Sequence, residues 1–202
     1  VSASSRRGFL VGSAAVAALG ATKPAAAQSG QSGQVIAYVG AYTDRGRGIH
    51  MFYVNTTDGS LTPWKVAGDM RNPSSLAFHP NKRYLYAANE IGNFNMTTTG
   101  SVTALSVDSG TGDLRIMNVV SSGGGGPAHL SVDPSGKWVF VANYGGGSVA
   151  VLPIMSDGSL GPPSDVETIT GPLGPQPAVE APPDIFVRFH LREIIPSLSG
   201  IS

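Results

Sequence analysis

Four histidines and no cysteine are present in this 202-residue sequence. Imidazole is therefore the side chain whose ordinary pKa suits proton transfer near neutral pH. Thiol nucleophiles, thiolate metal sites, disulfides and redox pairs are excluded. His129 is the strongest candidate for a general base, because it follows Pro127 at the entry to a short β-rich segment. The alternative reading is a histidine that only hydrogen-bonds neighbouring backbone. Glu90 is the second candidate. It follows Asn89 at a strand end, and Tyr144 follows Asn143 at the same place in a later copy of the pattern. Asn89, Asn143 and Tyr144 are candidates for contacting a substrate. An asparagine repeated at strand ends also serves as scaffold, by bonding the turn backbone.

The other histidines have plainer readings. His79 precedes Pro80 where Asp133 precedes Pro134, and this exchange of imidazole for carboxylate predicts local turn capping. His50 falls in an expected outer strand, and His190 carries no motif. Gly123–Gly126 and Gly145–Gly147 resemble phosphate cradles only superficially. Neither run precedes a helix or a Lys, so both are expected to be connections between successive β units.

These residues need a β scaffold. Charged residues make up 13% of the chain, against about 25% in ordinary globular proteins. Charge-laced helical bundles and coiled coils are thereby disfavoured. Thirteen basic and thirteen acidic residues give a net charge near zero. That balance removes the electrostatic basis for binding nucleic acid or for a polybasic membrane contact. Hydrophobic residues at 41% suffice for a core, and 27 Gly with 15 Pro supply frequent turns.

One pattern recurs. Asn72–Pro80 aligns with Gly126–Pro134, 54 positions later, and Tyr84–Asn89 aligns with Trp138–Asn143 at the same offset. Ile36–Ala41 is a partial earlier copy. Gly48–Tyr53, Gly100–Leu105 and Gly147–Leu152 follow in the three units. Each unit then reaches a tight turn and a leucine, at Asp58-Gly59-Ser60-Leu61, Thr111-Gly112-Asp113-Leu114 and Asp157-Gly158-Ser159-Leu160. Asp-Gly is a strong hairpin signal. Each unit is expected to form four short antiparallel strands, and a four-stranded repeat of roughly 40–50 residues predicts β-propeller blades.

The stretches "NPSSLAFHPNKRYLYAANE" and "GGGGPAHLSVDPSGKWVFVANYGGGSVAVLP" closely resemble the lactonase family that includes propeller-type 6-phosphogluconolactonases. The resemblance runs from about Val35 to Thr170. It implies an all-β fold of seven blades, about three of them present here, and cofactor-free hydrolysis of a small-molecule sugar lactone. It also implies an Asn-Glu pair with an Arg sixteen residues earlier, and a Pro-His-x-His segment, both in later blades. Ser74 occupies the position sixteen before Glu90, and the segment after His129 shows no such pair of histidines. The family's catalytic set is thus expected to be largely missing. A non-catalytic propeller module binding ligands or proteins, and an inert truncated remnant, remain alternatives.

Residues 1–27 read as an address. Ser5-Arg6-Arg7-Gly8-Phe9-Leu10 resembles a twin-arginine signal, and Ala25-Ala26-Ala27 places a cleavage site before Gln28. The apolar run Phe9–Ala21 would reach roughly 20 Å as a helix, short of the ~30 Å hydrocarbon core. Export to the periplasm or beyond, without a stable membrane anchor, is the expectation. Residues 28–34 are expected to be a linker, 35–171 the partial propeller, and 172–202 a divergent Pro-rich tail. Unclosed blades leave strand edges through which copies could associate.

Overall fold

A computed structural model describes residues 35–41 and 48–171, so the expectations for the signal, the linker, the tail and His190 lie outside the described residues. The described residues form three antiparallel sheets. The first contains β1 (Val35–Gly40), β2 (Ile49–Val54) and β3 (Leu61–Ala67). The second contains β4 (Pro73–Phe78), β5 (Tyr84–Asn89), β6 (Ser101–Val107) and β7 (Leu114–Ser121). The third contains β8 (Pro127–Val132), β9 (Trp138–Asn143), β10 (Ser148–Pro153) and β11 (Asp165–Thr168). Neighbours within each sheet follow chain order, as hairpin-linked blades require. A 3-10 turn at Phe94–Met96 lies between β5 and β6.

Pro73 and Pro127 open β4 and β8, which are edge strands of their sheets. A proline is tolerated there because the first residue of an edge strand needs no ladder donor. β4 packs beside β8, so the two four-stranded sheets meet along their innermost strands. Between these sheets, Tyr86, Ala88, Val102 and Ala104 pack with Leu130, Val139, Val141 and Leu152. Leu85, Ala87 and Leu105 project from the opposite face of the second sheet toward Ile49 of the first. Both faces of the second sheet are therefore covered. This explains why β5 is buried from Leu85 through Asn89 rather than alternating between core and water.

Two details correct the sequence reading. The first sheet has three strands among the described residues, not four. Its β1 corresponds to β5, the second strand of its sheet, because Tyr38 and Tyr86 bond matching turns. Tyr38 Oη donates to the Gly112 carbonyl at 2.5 Å, and Tyr86 Oη donates to the Gly158 carbonyl at 3.0 Å. The second correction concerns register. Gly40 pairs with Ile49 as Ala88 pairs with Val102, so Ile49 takes the place of Val102 and not of Ser101. Aligning the glycines put β2 one residue out, and a slip of one residue exchanges the two faces of a strand. Packing decides the matter, with Ile49 buried against the second sheet and Met51, two residues on, buried as well. His50 lies on β2, between β1 and β3.

The tyrosine locks carry energy between sheets. Burial is the main cause that pushes the Tyr38 phenol up to about 12, with the nearby Asp113 carboxylate adding to it. The neutral, hydrogen-bonded form is thus the one the fold favours. Its contribution is fully present below the ordinary tyrosine value and is lost as pH rises from about 10 toward 12. Tyr86→Phe should strand the Gly158 carbonyl and cost about 1–3 kcal/mol. A lowered urea midpoint with an unchanged slope would show this.

Candidate active site

The inner strands bring together two side chains from equivalent positions. His129, the third residue of β8, is exposed, while the Leu130 that follows it is buried at 2%. Ser75 holds the matching position on β4. In both strands the register shifts just before this residue, between Pro73 and Ser75 and between Pro127 and His129. Such bulges re-aim a side chain, and they concentrate beside active sites. Ser75 Oγ lies 3.4 Å from His129 Nδ1 and accepts the Leu130 N–H at 3.3 Å. A hydroxyl has two acceptor lone pairs. It can therefore receive both Leu130 N–H and a proton on His129 Nδ1, which leaves Nε2 free to take a proton from water. The sequence reading missed Ser75. Its repeat relationship to His129, 54 positions on, was the available signal.

Glu90 and Tyr144 occupy equivalent places at the end where the inner strands begin. The Glu90 N–H donates to the Asn72 carbonyl at 2.8 Å, and the Tyr144 N–H donates to the Gly126 carbonyl at 2.9 Å. Asn72 Nδ2 also donates to the Glu90 carbonyl at 3.2 Å. Asn72 and Gly126 immediately precede β4 and β8. Glu90 and Tyr144 are thereby anchored through their backbones at the mouth of their own sheets.

Asn89 and Asn143 lie beneath, with exposures of 4% and 0%. Asn89 Nδ2 donates to Ser101 Oγ at 3.0 Å and Thr103 Oγ1 at 2.7 Å. Asn143 Nδ2 donates to the Ser122 carbonyl at 2.9 Å and to Ser148 Oγ at 3.3 Å. Each asparagine ties its strand end to neighbouring groups, and each leaves Oδ1 without a partner. Of the two glycine runs, Gly123–Gly126 connects β7 to β8, as expected of a blade connection. Gly145–Gly147 instead links β9 to β10 within one sheet, because the chain there turns back on itself.

His79 has the capping geometry that its exchange with Asp133 predicts. Its Nδ1 accepts the Asn81 N–H at 3.1 Å, so Nε2 carries the proton to the Gly136 carbonyl at 3.0 Å. Asp133 caps the corresponding turn by accepting backbone N–H groups of Ser135, Lys137 and Trp138. Partial burial opposes ionisation of Asp133. The Ser135 hydroxyl and the three backbone donors outweigh that burial and hold the carboxyl below its ordinary range. Because the folded value is depressed, this stabilisation is present above the ordinary carboxylate range and is lost as pH falls through the folded value. Asp133→Asn should flatten the acid limb of the stability curve while preserving its neutral plateau in shape. Urea unfolding across a series of pH values checks this. Among the described residues no three His, Asp or Glu side chains converge as a metal would require.

Comparisons with known proteins agree with this architecture. A family model described as "Lactonase, 7-bladed beta-propeller" matches residues 36–185. A 6-phosphogluconolactonase of Formosa agariphila is 35% identical over 136 residues, covering 66% of this chain and 38% of the relative. The 6-phosphogluconolactonase of Bacillus subtilis is 34% identical over 155 residues, covering 76% of this chain and 43% of the relative. The periplasmic gluconolactonase PpgL of Pseudomonas aeruginosa superposes with a TM-score of 0.62 at 35% identity, covering 70% of this chain and 40% of that structure. The chain thus spans about two-fifths of the length of these relatives. With paired inner strands, hairpin-linked sheets and a family match across most of its length, this chain belongs to the lactonase family of seven-bladed β-propellers.

Proposed function

We propose that this chain contributes to hydrolysis of a sugar lactone, with His129 as general base. The observation that carries this reading is the exposed imidazole on an inner strand, re-aimed by a bulge and held against Ser75. In the proposed step His129 removes a proton from water as the water oxygen attacks the lactone carbonyl carbon. The ring C–O bond then breaks, and the departing alkoxide takes the proton back from the imidazolium, giving a hydroxy acid. Glu90 stands at the mouth as a second acid–base group, with Tyr144 in the equivalent place of the next sheet, and the buried Asn89 and Asn143 support these strand ends from beneath.

The substrate we infer is unphosphorylated and met outside the cytoplasm. The Ser5–Leu10 block supports export by a twin-arginine route, and the periplasmic gluconolactonase relative favours the same compartment. Acid release from glucono-1,5-lactone above the spontaneous rate tests the proposal, and equality with the spontaneous rate would overturn it. A second reading, a non-catalytic binding module, is favoured by the Asn89-Glu90 pair, which has Ser74 and no Arg sixteen residues before the Glu. Among the described residues β1 and β11 each have an edge without a partner strand, beside exposed Val35, Val39 and Val166, and this supports self-association.

A further inference from the structure

The second sheet holds a cleft whose counterpart in the third sheet is occupied by Gly124. Five residues lead into each inner strand, Gly68–Asn72 before β4 and Ser122–Gly126 before β8. In the third sheet Gly124 lies directly over Asn143. A Cβ there would stand 2.8 Å from Asn143 Cβ and 2.4 Å from Ser148 Oγ. The corresponding residue in the second sheet is Met70, which lines a cleft together with Asn89. The asparagine's amide turns instead to Ser101 and Thr103, and the register puts Ala150 where Thr103 would be.

The space left is a cleft of about 280 Å³, with Asn89, Ser101 and Thr103 among its lining residues. Its size falls at the small end of small-molecule sites. Asn89 is 4% exposed, and its Oδ1 has no partner. Reversing the amide would orphan the nitrogen in place of the oxygen. A ligand hydroxyl answers either orientation, because it both donates and accepts. Phe94, Ile116 and Val119 supply apolar wall for the C–H face of a sugar ring. Asp69 and Arg71 also line the cleft, and their opposite charges favour a neutral ligand over an ion. Arg71 Nη1 donates to Asn93 Oδ1 at 3.2 Å, joining the connection to the loop after β5.

We propose that this cleft binds a neutral polyhydroxy compound of monosaccharide size, at a site separate from His129. The test is calorimetric titration of the full chain with D-glucose, with glycerol as the smaller control. Saturable glucose binding is expected. Val119→Trp should weaken it at least tenfold by filling the cleft from an exposed wall position, and His129→Gln should leave it unchanged. Ile116→Trp fills the same space from a second exposed position and replaces the first variant if that one melts early. The proposal is overturned if the native chain shows no saturable glucose binding, if a folded filled variant binds as before, or if His129→Gln removes binding. A chain that binds glucose here but hydrolyses no lactone would retain the cleft and lose the proposed reaction. The converse result would remove the cleft and leave the reaction standing.

Discussion

His129→Gln should lower lactone hydrolysis by about 100- to 10,000-fold, the range over which a positioned general base acts. Glutamine keeps a polar group near Ser75 but has no site that can carry a proton away from water. The expected loss therefore falls on kcat, with KM changed little, since the imidazole is asked to act on the attacking water and not to hold the sugar. His129 is exposed on β8, so its replacement disturbs little packing and the thermal transition should stay in place. Ser75→Ala supplies the second half of the test. It removes the hydroxyl that meets Nδ1, and so frees the ring to choose its tautomer. A smaller loss is expected, accompanied by a displaced pH profile. Unchanged turnover in His129→Gln would move the search to Glu90, the other acid–base candidate at the mouth.

Legibility from sequence followed the range of the interaction. The turns were readable because each is a local hydrogen-bonding device. Asp58 and Asp157 accept N–H groups two residues ahead, and so does Asp133. The capping role of His79 could be read for the same reason, because its partner Asn81 is two residues away. Contacts between units were not readable. Tyr86 meets a carbonyl 72 positions along the chain, and nothing beside it in sequence announces that bond.

The slipped register of β2 shows a further limit. A glycine precedes the strand in all three units, yet only packing decides which neighbour faces the core. Ser75 was overlooked for a related reason. Serine has no distinctive chemistry until a bulge aims it at an imidazole, and bulges are set by how two strands pair. The glycine run before β8 was correctly read as a connection. Its closeness to Asn143, and the open space left where Met70 replaces Gly124, depend on atoms from three separate segments.

The coupling between sheets has its own large expected effect. Gly158→Ala should destabilise the protein by about 2–4 kcal/mol, through turn strain and overpacking together. Gly158 has φ +90, a conformation costly for any residue with a side chain. An added Cβ would also stand 2.3–2.5 Å from three ring atoms of Tyr84. Relief would require the turn to withdraw, and that movement would carry the Gly158 carbonyl away from Tyr86 Oη. Gly59→Ala separates the two causes. Gly59 sits in the same Asp-Gly-Ser-Leu sequence of the first sheet, in a turn one residue longer, with φ +75, and nothing lies within 4 Å of its Cβ position. It should show the turn strain alone, about 1–2 kcal/mol. The excess at Gly158, read as a difference between the two urea midpoints at a common slope, then measures the contact between the second and third sheets. Equal losses at both glycines would mean that Tyr84 gives way freely and that the turn contributes only locally. A larger loss at Gly158 would make that turn a clamp between neighbouring blades, with Tyr84 and Tyr86 as its opposing surface.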